Sequence, residues 1–154
     1  QNIAQVGLRG TAPLRQDVFI SYSRRDRDAM HRIREALTAA NLTVWSDEDL
    51  EPGSPSWRAD VQRAIENASC AVAILSPDAK GSEWVSEELG YARIRKLRLF
   101  TVLARGDESN AIPLGLTGVQ WIDMRSDYES GIADLVQQNA LDQLVVVIRE
   151  HLGK

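Results

Sequence analysis

The chain has 154 residues, enough for one domain with one sizeable core and too few for two. With 44% hydrophobic and 26% charged residues it reads as an ordinary globular protein, not a disordered or fibrous one. A formal charge of −4 argues against a general nucleic-acid binder, and no apolar run approaches the ~20 residues of a membrane span.

Residues 1–16 mix Gly, Thr, Pro and Arg without periodicity and read as a linker or tail; the organised part is expected over 17–152. Val18-Phe19-Ile20 is a short apolar run leading into polar Ser21–Asp26, the pattern of a buried strand that ends in a loop. Met30, Ile33, Leu37 and Ala40 recur at helical spacing, so 27–40 should be an amphipathic helix with Asn41 as its stop. Leu42–Trp45 reads as a second strand, followed by an acidic loop over 46–56 that carries two prolines and Gly53. Trp57, Val61, Ala64, Ile65 and Ala68 mark a second helix, with Trp57 read first as a core anchor and second as a pocket border. Cys70–Leu75 is a continuous apolar strand closed by Ser76-Pro77, and its lone cysteine should be a buried, reduced thiol. A third helix is expected over about 82–96, a fourth strand at Leu99–Leu103, a loop at Arg105–Pro113 and a fifth strand at Val119–Ile122. Residues 127–152 look helical, in two pieces broken near Asn139.

Five alternations of strand and helix imply a mainly parallel sheet with helices on both faces. Ligands of such sheets bind beyond the carboxyl ends of the strands, near the point where strand order reverses. The loops after Ile20, Trp45, Leu75 and Leu103 are therefore the places to look for chemistry. Two histidines and one cysteine make a His/Cys metal site improbable, and neither a nucleophile elbow nor a P-loop is present. A phosphoacceptor receiver domain would need an aspartate at the end of the third strand, where Leu75-Ser76 stands. The basic clusters at Arg24–Arg25 and Arg93–Arg98 are set among acids and read as solvated faces. Trp84, Glu88 and Tyr91 stand at i, i+4 and i+7 on the third helix, with Val85, Leu89 and Ala92 on the neighbouring stripe. That spacing alone fits ordinary helix-start acids beside a packing tryptophan, and it puts Glu88 at the border between core and solvent, where the dipole favours its ionised form.

Several segments, taken in order, resemble the bacterial-type Toll/interleukin receptor (TIR) domain family. Asp17–Ser23 with Arg24-Arg25-Asp26 is similar to its opening strand and loop, and Val44–Asp47 with Leu50-Glu51-Pro52-Gly53 to its second strand and BB loop. Ala73–Pro77 looks like its third strand, Ser82–Leu89 like its W-x-x-x-E helix start, and Ile112–Leu114 with Gln120–Asp123 like its last strand region. The chain departs from the family in an acidic BB loop (Asp49, Glu51) and a long closing segment.

The resemblance implies a flavodoxin-like α/β fold with a central five-stranded parallel sheet. It also implies an NAD glycohydrolase that cleaves the nicotinamide–ribose bond, giving ADP-ribose or a cyclic ADP-ribose isomer, with NAD as substrate and no bound cofactor or metal. The family's catalytic glutamate falls on Glu88. Tyr22, Ser23, Arg24, Asp47, Trp57 and Trp84 become candidates for substrate contact, a loop charge remaining open for Arg24 and a capping role for Asp47. Leu50, Glu51, Pro52 and Gly53 would mediate homotypic assembly with other TIR domains. The chain opens on Gln1 instead of Met, so a longer cytoplasmic protein with a sensor domain is expected, acting in bacterial defence or signalling without nucleic-acid or membrane partners. The alternatives are a non-catalytic adaptor and a secreted mimic of host TIR signalling.

Overall fold

A computed structural model describes residues 15–50, 53, 55–116, 118–125 and 130–154, the side chains of 130–134 excepted. Strand β1 (Gln16–Ser21) is followed by α1 (Arg27–Ala39), β2 (Val44–Trp45), α2 (Trp57–Glu66) and β3 (Ala68–Leu75). Then come the single-turn α3 (Pro77–Lys80), α4 (Glu83–Ile94), β4 (Arg98–Leu103), the single-turn α5 (Glu108–Ala111), β5 (Trp121–Asp123) and α6 (Ser130–Leu152). The strands form a five-stranded sheet in the order β2-β1-β3-β4-β5, and every neighbouring pair is parallel. This is the flavodoxin-like α/β arrangement expected from the sequence, and its order reverses between β1 and β3.

Strand alternation divides the core in two. Val18, Ile20, Cys70, Val72, Ile74, Phe100 and Val102 point to one face, where Met30, Ile33 and Leu37 of α1 and Leu141, Leu144 and Ile148 of α6 cover them. Phe19, Ala71, Ala73, Leu75 and Leu103 point to the other, under Val61 and Ile65 of α2 and Val85, Leu89 and Ala92 of α4. Ser21 follows Phe19 by two, so the same alternation turns it toward α4. Its register partner is Ala73, whose small side chain leaves room for a helix to lie close above. Cys70 is fully buried, and burial pushes its thiol up to about 12, an inert state.

Several element boundaries differ from expectation for local reasons. Asn41 does stop α1, at a φ of 65° that asparagine tolerates, but Leu42 is buried in the core without pairing, and β2 is only Val44–Trp45. Ala68 belongs to β3, paired with Gln16, because α2 ends at Glu66 and Asn67 caps it. The fifth strand starts at Trp121, since the Val119 amide is taken by the Leu116 carbonyl in a turn. The Arg105–Pro113 loop folds into α5, whose first amides are held by the Asp107 carboxylate. The closing segment is one helix, Ser130–Leu152, with no break at Asn139. Burial of the adjacent Ala140, Leu141, Leu144 and Ile148 outweighs the modest helix penalty of one asparagine.

An ionic clamp fixes the chain after β2. Arg27, His31 and Arg34 recur at i, i+4 and i+7 on α1 and meet the acidic turn Asp47–Asp49. Arg27 and His31 reach Glu48 at 3.2 and 2.8 Å. Arg34 donates to both carboxylate oxygens of Asp49 at 2.9 Å, to Ser46 Oγ at 2.9 Å and to the Val44 carbonyl at 3.4 Å. Charge-assisted, two-pronged contacts of this kind exceed an isolated surface pair. Arg34→Ala is expected to cost about 1–2 kcal/mol in denaturant melts, whereas Arg32→Ala, on the exposed face of the same helix, should change stability by less than about 0.5 kcal/mol.

Candidate functional site

The carboxyl end of β1, where strand order reverses toward β3, meets the flank of α4. Ser82 caps α4 by accepting from the Val85 amide at 3.1 Å, which sets the helix phase. That phase places Val85, Glu88, Leu89 and Ala92 on one buried stripe. Glu88 therefore lies inside the core stripe, 4% exposed, and not at its border. Ser21, fully buried at the end of β1, donates its hydroxyl proton to Glu88 Oε1 at 2.7 Å.

Burial pushes the Glu88 carboxyl up to about 8, with the charges of Asp47 and Glu87 adding to the effect. Hydrogen bonds from Ser21 and Trp84 oppose it without cancelling it. The expectation that the helix dipole would favour the ionised form is thus reversed. Glu88 is the sixth residue of α4, beyond the first turn where the dipole acts, and desolvation dominates there.

Asp47 stands beside this group on the chain after β2. Tyr22 donates its hydroxyl to Asp47 Oδ1 at 2.7 Å. The Tyr22 ring is only 3% exposed and packs in the core shared by α1 and α6, so its position is that of a buried prop for Asp47 and not of a surface for a ligand. Burial first, and then the Asp47 charge, push its phenol upward, so Tyr22 keeps its proton. Ser23 accepts from the Arg25 amide at 3.3 Å and caps the turn Arg24–Asp26, on which Arg24 is exposed. Beneath that turn, buried Asp26 accepts from Ser76 and from Arg105 Nε, tying the loop to the ends of β3 and β4.

Trp84 lies beside the carboxylate, with Trp57 against its ring. Trp57 is 42% exposed, not a core anchor, and its ring lies 4.7 Å from that of Trp84 at 57°. The Arg58 guanidinium sits 5.0 and 5.4 Å from the two ring centres and donates to Glu87 at 2.7 Å. Between α2 and α4 runs a groove of about 440 Å³, walled by Arg58, Val61, Ile65, Trp84, Glu88 and Tyr91. Tyr91 is held there by Gln62 and Glu66. A larger hollow of about 680 Å³ lies against β4 and β5 between Arg93, Phe100, Trp121 and Val147, but no carboxylate lines it.

The fold thus brings Glu88, Asp47, Trp84 and Trp57 to one end of the sheet. Tyr22 supports them from below, and Ser23 and Arg24 form the adjoining turn. Leu50 is half-buried, and Gly53 has a φ of 75°, a backbone that other residues adopt at a cost; Glu51 and Pro52 lie outside the described residues. Sequence reasoning passed over Ser21 and the clamp residue Arg34. The signals were there: a serine closing an apolar strand at the reversal point, and a basic stripe at i, i+4 and i+7 preceding three consecutive acids. Among the described residues no group of three or more His, Cys, Asp or Glu is placed to hold a metal ion, and no helix is long and apolar enough to cross a membrane.

Known proteins share both the sequence pattern and the fold. A curated probable 2′ cyclic ADP-D-ribose synthase, TcpO, from Methanobrevibacter olleyae is 30% identical over 73 residues, which make up 47% of this chain and 21% of that protein. The TIR domain of the Toll-related receptor TRR-2 from Hydra magnipapillata superimposes with a TM-score of 0.68 at 21% identity, over 87% of this chain and 98% of that one. The heterodimer of the RPS4 and RRS1 TIR domains gives 0.58 at 20% identity, over 88% and 96%. The profile of the TIR domain family matches residues 18–136, most of the chain, and the protein belongs to that family.

Proposed function

We propose that this domain cleaves the nicotinamide–ribose bond of NAD, with Glu88 as the catalytic carboxylate. The observation that carries the reading is a buried carboxylate held at the strand-order reversal with a second carboxylate, Asp47, close enough to perturb it. Fully buried acids without an ionic partner destabilise a fold and persist where they do chemistry. In NAD the leaving group is a pyridinium. When the C–N bond breaks, its electron pair returns to the ring, and nicotinamide leaves neutral without a general acid. The ribose is left as an oxocarbenium ion, the cation that a nearby carboxylate stabilises. Asp47 adds to the negative field, and Trp84 and Trp57 offer faces for an aromatic ring. Capture by water gives ADP-ribose and a proton; capture by a hydroxyl within the substrate gives a cyclic ADP-ribose and likewise releases a proton. The name of the TcpO relative favours the cyclic outcome, and the two products differ by one water.

The same reading makes self-association the switch of an effector module in bacterial defence or signalling. Arg34 holds Asp49, two residues beyond Asp47 and next to Leu50, and a neighbouring copy of the domain docked on that side would cover the site. A TIR heterodimer among the similar structures lends this support. The rate of nicotinamide release per molecule is therefore expected to rise at least tenfold between dilute protein and protein clustered on a scaffold, followed by chromatography. A rate per molecule that is flat across that range contradicts activation by assembly.

A further inference from the structure

We propose that Ser21 is a positioning residue for Glu88: its hydroxyl pins Oε1 and leaves Oε2 as the oxygen that meets the substrate. The proposal rests on the NAD-cleaving reading above. Its warrant is geometric. Ser21 is fully buried and has a single hydroxyl proton, which it commits to Oε1 at 2.7 Å. It sits on the last residue of β1, whose pairing with β3 through Ser21 and Ala73 fixes the donor on rigid backbone. Phase on α4 is equally fixed by the Val85, Leu89 and Ala92 stripe. A carboxylate held at one oxygen from a strand can turn only about that contact, so its second oxygen is aimed by the fold and not by a loop.

The groups facing Glu88 from the surrounding elements leave this role to Ser21. From the chain after β2 comes Asp47, itself an acceptor from Tyr22. From α4 come the Trp84 indole, a further donor, and the Glu87 carboxylate. From α2 comes Arg58, whose guanidinium is committed to Glu87. Neither acid donates to Glu88, and the Trp84 side chain is half-buried at the rim, its ring tilted against that of exposed Trp57. The strand hydroxyl is therefore the one fully buried donor to Glu88 among the described residues.

Removing that donor withdraws a contact that favours the ionised carboxylate, so the activity profile should move to higher pH. The test is kcat and KM for NAD across pH 6 to 9.5 in wild type, Ser21→Ala, Ser21→Thr and Glu88→Gln, with melting curves for each. Expected for Ser21→Ala are a kcat lowered about 10- to 100-fold, a KM within about threefold of wild type, and an apparent pKa in kcat/KM raised by about half a unit or more. Ser21→Thr keeps the hydroxyl and should restore the wild-type pKa even if packing lowers its melting temperature. A folded Ser21→Ala with unchanged kcat and unchanged profile overturns the proposal while Glu88→Gln remains inactive. An active Glu88→Gln overturns the underlying reading instead.

Discussion

Replacing Glu88 by Gln is expected to abolish NAD cleavage, by a factor of about 1,000 or more, and at the same time to make the protein more stable. Both follow from one feature, a carboxyl group that is 4% exposed and pushed up to about 8 from an ordinary 4.5. The transition state needs a negative oxygen beside the ribose cation, and an amide of the same shape supplies only a dipole. For the fold the sign runs the other way. An acid whose folded pKa is raised contributes fully below its unfolded pKa, and that contribution is lost as pH rises to the folded value. The wild type should therefore match Glu88→Gln near pH 4.5 and fall behind it progressively up to about pH 8, with a constant gap above. At about 1.4 kcal/mol per unit the full shift sets an upper bound, and a gap of about 2–4 kcal/mol, on the order of 5–10 °C in melting temperature, is expected. Thermal melts of the two proteins at several pH values check it; equal stability at pH 8 contradicts the burial argument. Under the proposed reading, Glu88 is an acid kept for chemistry at the expense of stability, a familiar trade in enzymes.

The second large effect is on rate against pH. If the ionised carboxylate acts, kcat/KM should rise nearly tenfold per unit below about pH 8 and level off above it. Between pH 6 and 8 the gain is about 50-fold. The profile of kcat alone should bend at lower pH, because a bound pyridinium cation favours the ionised form of a neighbouring carboxylate. A kcat/KM profile flat between pH 6 and 8 means that the group that matters is already ionised and is not Glu88.

Much of the architecture was legible because its signals are local. Apolar runs of strand length, helical spacing at Met30, Ile33 and Leu37, and the alternation of the two gave the parallel sheet and its helices. The ends of elements were less legible, since they depend on partners distant in sequence. Ala68 reads as the next residue of a helical stripe and becomes a strand residue only because Gln16 is there to pair with it. Asn139 reads as a break and is overridden by the packing of α6 against α1. At the site, the family resemblance pointed to Glu88, and Asp47 and Trp84 stood with it as candidates for substrate contact; the fold does gather the three. What one-dimensional reading did not give was depth. Glu88 falls into line with Val85, Leu89 and Ala92 at three-and-four spacing, a polar residue in an apolar stripe, and that stripe carries more information about its burial than its pairing with Trp84 does. Trp57 was misjudged for the opposite reason: a large aromatic at a helix start invites a core assignment, while its exposure depends on Trp84 across the groove. The contact of Ser21 with Glu88 spans 67 residues and is set by strand register, which no local pattern encodes.

The most direct test of the central claim is product analysis of NAD incubated with clustered protein, wild type beside Glu88→Gln, by chromatography and mass spectrometry. Release of nicotinamide by the wild type, with ADP-ribose or a cyclic ADP-ribose as the second product and neither formed by Glu88→Gln, is the predicted result. No release from well-folded, clustered wild type, or equal release from the two proteins, would contradict it and turn attention to a domain that acts through TIR contacts alone.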